Sequence, residues 1–344
     1  MTWQTQRLPG DHPPVSSGQI GVLLINLGTP DGPDPASVRR YLKQFLSDTR
    51  VVEIPPIVWQ LILRGIILNT RPQKSSKAYT KIWTDRGSPL ADITARQAEA
   101  MAGRFGEKVT VDYAMRYGNP SIESRLTAMM AQGCDRILIA PMYPQYCAAT
   151  TATVFDEVAR VLGAMRWQPA LRFVPPYHDN PGYIGALADD LARQVHSLAF
   201  TPEVMLLSFH GMPQQTLQKG DPYYCHCMKT ARLLREELAK RPAFAGVRFE
   251  TTFQSRFGPA AWLEPSTDAT LMAEGDKGTK RLVVAAPGFA ADCVETLEEL
   301  ALEGRDEFTE HGGEDYAVLD CLNTSGHGLE MIDAMLRREL SGWI

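Results

Sequence analysis

In "LLSFHGMP" an apolar run stops at His210, and Gly211 behind it lets the chain turn tightly. In "DCVETLEELALEG" the acids Glu295, Glu299 and Glu303 recur every four residues, which places them on one face of a helix. Like charges at that spacing weaken a helix slightly. No lysine follows Lys280 to make the stripe an ordinary solvated face. Asp292, with Glu295 three residues on, also has the form of a helix-capping box, so a structural reading of that pair stays open. Carboxylate oxygens with one imidazole suit a divalent first-row metal held loosely. The chain has no His-x-x-x-His or Cys-x-x-Cys pair of the kind that cages a structural zinc. The stripe therefore reads as a track for a passing cation. An imidazole facing a carboxylate across a cleft is also a proton-accepting pair.

Such groups need a scaffold that brings them together, and the apolar runs describe one. "IGVLLINL" (20–27), "KVTVDYAM" (108–115), "DRILIAP" (135–141), "EVMLLSF" (203–209), "VRFETTF" (247–253) and "KRLVVAAP" (280–287) read as strands. Helical patterns such as "PASVRRYLKQFL", "ADITARQAEAMAGRF" and 181–197 lie between them. Strands apolar on both faces and separated by helices mean parallel sheets covered on both sides. The expected fold class is α/β, with two doubly wound parallel-sheet domains facing a central cleft. Their expected extents are 18–174 and 175–324, with a final helix in 325–344 packing back on the first. The shared rhythm of the halves also fits an old duplication.

Ligands of such sheets sit outside the carboxyl ends of the strands. His210, Gln254-Ser255-Arg256, Arg116-Tyr117, "YPQY" (143–146) and "PGFAADCVE" (287–295) all fall there. The aromatic residues near these ends, among them Tyr79, Trp83, Tyr117, Tyr143, Trp262 and Phe289, together suit a wide planar apolar ligand. Arg39, Arg40 and Arg116 are available for its carboxylates.

The 344 residues carry a net charge of −5 with no basic stretch, which argues against a nucleic-acid partner. Six cysteines are too few for a disulfide scaffold of this size and point to a reducing compartment. The start, "MTWQTQRLPGDHPPVSSGQ", reads as a polar arm and not as a signal or transit peptide. No run reaches the roughly 18 to 20 apolar residues that span a bilayer. "IPPIVWQLILRGIIL" (54–68) comes nearest. It is either a buried helix or an exposed lip on a membrane surface, with Trp59 at the interface and Arg64 reaching for the polar layer.

"YPQY", "LLSFHGMP", "KGDPYYC", "GPAAWLEPSTD" and "PGFAADCVETLEEL", in this order, resemble the signature segments of the ferrochelatases, enzymes that insert ferrous iron into a porphyrin. The resemblance runs from "LLINLGTP" to "CLN". It implies two Rossmann-like domains around a porphyrin cleft, with Fe2+ and protoporphyrin IX as substrates. It matches His210 and Glu295 to the family's active-site histidine and glutamate, and Glu299 and Glu303 to an acidic path for the metal. It matches Leu27, Arg116, Tyr143, Trp262 and Phe289 to porphyrin-binding positions. The 51–70 segment corresponds to the hydrophobic lip of membrane-associated members, which implies a cytoplasmic protein held peripherally at the inner face of the membrane. The lip favours protoporphyrin over the more polar coproporphyrin. A cobalt chelatase of the same fold and a non-catalytic haem carrier are the alternatives.

Two departures matter. Cys293 stands where some members carry a second histidine, and the tail "RRELSGWI" lacks the cysteine cluster that holds an iron–sulfur centre in some relatives. Cys225 and Cys227 remain open to three readings. They are plain thiols, zinc ligands, or part of a differently built [2Fe-2S] site with two of Cys134, Cys147 and Cys321.

Overall fold

A computed structural model describes residues 18–258 and 260–344. The polar arm expected at the N-terminus lies outside the described residues, apart from its last two. Two four-stranded parallel sheets organise the chain. The first comprises β1 (Gln19–Thr29), β2 (Val109–Gly118), β3 (Cys134–Pro141) and β4 (Ala170–Phe173), in the order β2-β1-β3-β4. The second comprises β5 (Val204–His210), β6 (Arg248–Gln254), β7 (Arg281–Ala285) and β8 (Asp315–Val318), in the equivalent order β6-β5-β7-β8. β4 and β8 were not legible as strands. Each is a four-residue edge strand, too short to show a pattern.

In the first half the helices are α1 (Pro35–Leu46), α2 (Pro56–Ile62), α3 (Leu68–Ile82), α4 (Pro89–Phe105), α5 (Ile122–Ala131) and α6 (Thr153–Gly163). The rest are α7 (Pro181–His196), α8 (Gln214–Gln218), α9 (Tyr223–Leu238), α10 (Thr267–Asp276), α11 (Gly304–Glu310) and α12 (Gly326–Glu339). Caps explain several starts. Asp34 accepts from Ala36 N and Ser37 N ahead of α1, and Asn180 does the same ahead of α7. α12 packs on α4 and α7, and its Met331, Ile332, Met335 and Leu336 are buried there.

β1 reaches its full length because Gly28 has φ +115° and lies against β2. A Cβ there would sit 1.8 Å from the Tyr117 carbonyl oxygen. Three stretches widen from α-helical to i→i+5 hydrogen bonding: Leu63–Ile67, Ala148–Ala152 and Glu295–Glu303. Such turns are rare and recur at functional sites.

The 54–68 segment is buried on one face and exposed on the other. Ile57, Val58, Leu61 and Ile66 are exposed, while Trp59, Leu63 and Leu68 are buried against α1. Trp59 does not stand at an outer interface. Its indole N–H donates to the Leu46 carbonyl oxygen at 2.6 Å, which makes it the anchor of the lip. Arg64 is exposed and its Nε donates to Gln60 at 3.1 Å.

Candidate active site

His210 ends β5 and pairs in register with Gln254 at the end of β6. A Cβ on Gly211 would lie 2.6 Å from the Gln254 carbonyl oxygen, so only glycine lets the two strand ends close. The half-buried His210 ring holds its Nδ1 at 2.7 Å from the Gly211 carbonyl oxygen. A carbonyl can only accept, so Nδ1 carries a proton, which leaves Nε2 as the ring nitrogen not committed to that bond.

The carboxylate stripe meets this strand end through Gln254 and Ser255. The Gln254 side-chain amide donates to the Glu295 carbonyl oxygen at 3.2 Å. The Ser255 N–H donates to Glu299 Oε1 at 2.7 Å, and its hydroxyl donates to Oε2 of the same carboxylate. Burial pushes the Glu299 carboxyl upward, and Glu295 repels its charge. The Ser255 hydroxyl, the His210 ring and the Ser255 N–H act the other way. His210, Glu295 and Glu299 therefore share one electrostatic neighbourhood.

Behind Glu299 lies a cavity of about 170 Å³ lined by Glu299, Glu303, Glu307 and Asp268, with Arg256 among its walls. Burial, together with Asp268, Glu303 and Glu299, lifts Glu307 to about 7. Sequence reading missed Glu307 and Asp268. The first continues the four-residue spacing by one more step and could have been found; the second arrives from α10 only on folding. Among the described residues no three or more His, Cys, Asp or Glu side chains assemble into a ready metal cage.

Asp292 does not cap its own helix. Its Oδ1 accepts from the Thr296 hydroxyl at 2.8 Å and its Oδ2 from the Asn323 side-chain amide, which ties the turn after β7 to the loop before α12. Thr296 accepts from Cys293 N at 3.1 Å and secures that end. On the first-half side, Tyr41 and Tyr79 are buried within electrostatic reach of Glu295. Burial, reinforced by that carboxylate, holds both phenols protonated. Tyr41 looked like an ordinary member of the apolar face of α1 and was missed.

Leu27, Tyr143, Trp262 and Phe289 are all half-buried at strand ends or in the loops after them. The Tyr143 hydroxyl and Trp262 Nε1 have no hydrogen-bond partner among the described residues, an exception that asks for an explanation in a buried polar atom. Arg116 is not free for a ligand carboxylate. Its Nη2 pairs with Asp48 Oδ2 at 2.6 Å, its Nε donates to the Thr153 carbonyl oxygen, and its side chain is 11% exposed. Arg39 and Arg40 are likewise engaged, with Leu68 and Ser37 respectively.

The cysteines do not fit an iron–sulfur cluster or a zinc site. Cys147 and Cys227 are buried as neighbours beside Asp221, whereas Cys321 lies with Cys293 beside Asp292. Cys134 opens β3, and Cys225 is exposed. Burial pushes the Cys147 thiol up to about 12 and raises Cys227 and Cys321 as well.

With this geometry in place, comparison with known proteins is direct. The family model described as Ferrochelatase matches residues 19–340. A ferrochelatase of Rhizobium meliloti is 53% identical over 338 residues, covering 97% of this chain and 98% of that one. One of Agrobacterium fabrum is 50% identical over 348 residues, covering both chains completely. Among solved structures, SirB from Bacillus subtilis with Fe3+ matches with a TM-score of 0.56 at 11% identity, over 94% of this chain and 96% of that one. CbiX, the terminal enzyme for biosynthesis of siroheme in denitrifying bacteria, matches with a TM-score of 0.52 at 15% identity, over 93% of this chain and 100% of that one. At such identities the two structures speak to the fold alone, that of chelatases with two Rossmann-like α/β halves.

Proposed function

The chain belongs to the ferrochelatase family, and from that premise we propose that it inserts Fe2+ into protoporphyrin IX, giving protohaem and two protons at the last step of haem biosynthesis. One observation carries the reading: Glu299, which lines a carboxylate-rich cavity, shares an electrostatic neighbourhood with Glu295 and with His210, whose Nδ1 is committed to the Gly211 carbonyl and whose Nε2 is not. A free porphyrin must lose two pyrrole protons to take up a divalent metal. A puckered ring exposes those protons and its lone pairs together, at a strain offset by binding elsewhere in the ligand. His210 Nε2 accepts one proton, and Glu295 accepts the other or hands over the metal. Glu299 and Glu303 supply hard oxygens along the approach, so iron is a substrate in transit. Leu27, Tyr143, Trp262 and Phe289 bind the macrocycle, with Arg116 acting from the wall behind them through its pair with Asp48.

The exposed apolar residues of the lip support peripheral attachment to the inner face of the membrane, where an apolar macrocycle is held. They also favour protoporphyrin over coproporphyrin. The test is anaerobic turnover with Fe2+ on protoporphyrin IX and coproporphyrin III, with the wild type beside Glu295→Gln. Haem formation from protoporphyrin, reduced about 100-fold or more in the variant, is the expected result. Preference for coproporphyrin overturns the substrate assignment, and tight porphyrin binding without insertion of any metal makes the chain a carrier.

A further inference from the structure

Ser255 stands out on backbone grounds before any function is considered. It has φ +64°, and with Asn323 it is one of two non-glycine residues in the left-handed region among the described residues. A serine held there is strained, whereas glycine adopts the same backbone freely. What the serine adds is a hydroxyl. That hydroxyl and the residue's own N–H both point to one carboxylate, one on each oxygen of Glu299.

The turn is held from both sides. Ser208 Oγ donates to Gln254 Oε1 at 2.8 Å and lies 2.8 Å from Thr267 Oγ1, which fixes the residue before Ser255. Arg256 reaches Glu264 and Asp268 at 3.4 and 3.5 Å, and the Phe257 ring lies under Arg71 of α3 at 3.7 Å. A strained backbone persists only where its surroundings over-determine it, and they do so here.

We propose that Ser255 is a positioning residue for metal transfer. Its paired N–H and hydroxyl fix the Glu299 carboxylate in the single orientation that links the acidic cavity to His210 and Glu295. A glutamate on a wide helical turn has freely rotating torsions, and two donors on its two oxygens remove that freedom. Groups that orient a ligand in this way typically contribute 10- to 100-fold to metal affinity or activity. The inference rests on the chelatase reading for its consequence, though the clamp itself is a matter of geometry.

Ser255→Gly separates this role from a structural one. Glycine keeps the backbone N–H, removes the hydroxyl and relieves the strained φ. The variant is therefore expected to melt no lower than the wild type while its KM for Fe2+ rises about tenfold, with kcat and the porphyrin KM within about twofold. Ser255→Ala keeps the strain and loses the same hydroxyl, so it is expected to show the same Fe2+ defect together with a lower melting temperature. An unchanged Fe2+ KM in the glycine variant overturns the proposal. Mn2+ binding to the porphyrin-free protein, followed by electron paramagnetic resonance, gives a readout independent of turnover. If the wild type inserts iron into no porphyrin, the chelatase reading falls. The clamp then stands on about tenfold weaker Mn2+ binding in Ser255→Gly, and equal binding overturns it.

Discussion

His178 and His226 stack face to face with ring centroids 3.6 Å apart and planes within 6°. His226 Nδ1 accepts from the Tyr146 N–H at 3.2 Å, so the ring joins α9 to the "YPQY" loop of the other half as a neutral group. Burial pushes His178 down to about 4, and repulsion from His226 and Lys229 adds to this against a partial offset from Asp179. His226 is lowered chiefly by burial, with Asp179 and Asp221 opposing and Lys229 assisting. A histidine whose folded value lies below its unfolded one stabilises fully above about 6.5 and loses that stability as pH falls towards the folded value. For His178 that window runs from about 6.5 to 4. His178→Phe keeps a stacking ring and removes the titration. Urea unfolding at pH 7 and pH 5 should show the wild type losing about 1 kcal/mol more than the variant across that interval. Equal losses would mean that the stack does not set the acid limit. At this scale the sequence displayed residue types and spacings, hence His210 and the four-residue stripe. It could not display Ser255, whose role lies in a backbone angle. Nor could it display Asp48 as the partner of Arg116, 68 positions away in the chain.

Among elements, the lip shows how one short apolar stretch serves two purposes by face. Trp59, Leu63 and Leu68 point into a core with Val38, Tyr41 and Leu42 of α1, while Ile57 (83% exposed) and Leu61 (73%) point out. Substitutions two residues apart should therefore act on different observables. Trp59→Ala removes a buried indole and its hydrogen bond, and should cost about 3 to 5 kcal/mol in urea unfolding. Leu61→Ser should leave stability within about 0.5 kcal/mol but reduce flotation with lipid vesicles. A stable Trp59→Ala, or undiminished flotation of Leu61→Ser, would reverse the assignment of faces. The sequence reached the presence of the lip and most strands because apolar runs and their bounding turns are local signals. It did not reach the wide turn at Glu295–Glu303, since a four-residue spacing lines one face in either geometry. Tertiary contacts hold it, since Lys81 of α3 pairs with Glu298 at 2.7 Å and Ser255 holds Glu299.

Across the whole molecule the same strand order appears twice, with the two central strands β1 and β5 in equivalent places. That repetition, visible in the sequence only as a shared rhythm, is joined by a common core. One continuous cluster of buried residues contains Val22 and Leu24 of β1, Leu138 of β3, Met205 and Leu207 of β5, and Met335 and Leu336 of α12. α12 closes that cluster from the far end of the chain. Its C-terminal turn is fastened by Arg172 near the edge of the first sheet, whose Nη1 donates to the carbonyls of Glu339 and Ser341 at 2.8 Å. A core shared in this way transmits a local loss to both halves. Leu336→Ala removes a fully buried side chain and should cost about 2 to 5 kcal/mol. Because the contacts it breaks belong to both halves, calorimetry should record a single transition moved to lower temperature, with intrinsic tryptophan fluorescence following the same curve. Two separated transitions in the variant would show that the sheets unfold apart and that α12 belongs to only one of them. A site whose histidine comes from one half and whose buried tyrosines near Glu295 come from the other needs the halves to hold their relative position. A shared core closed by the last helix meets that need without a rigid linker.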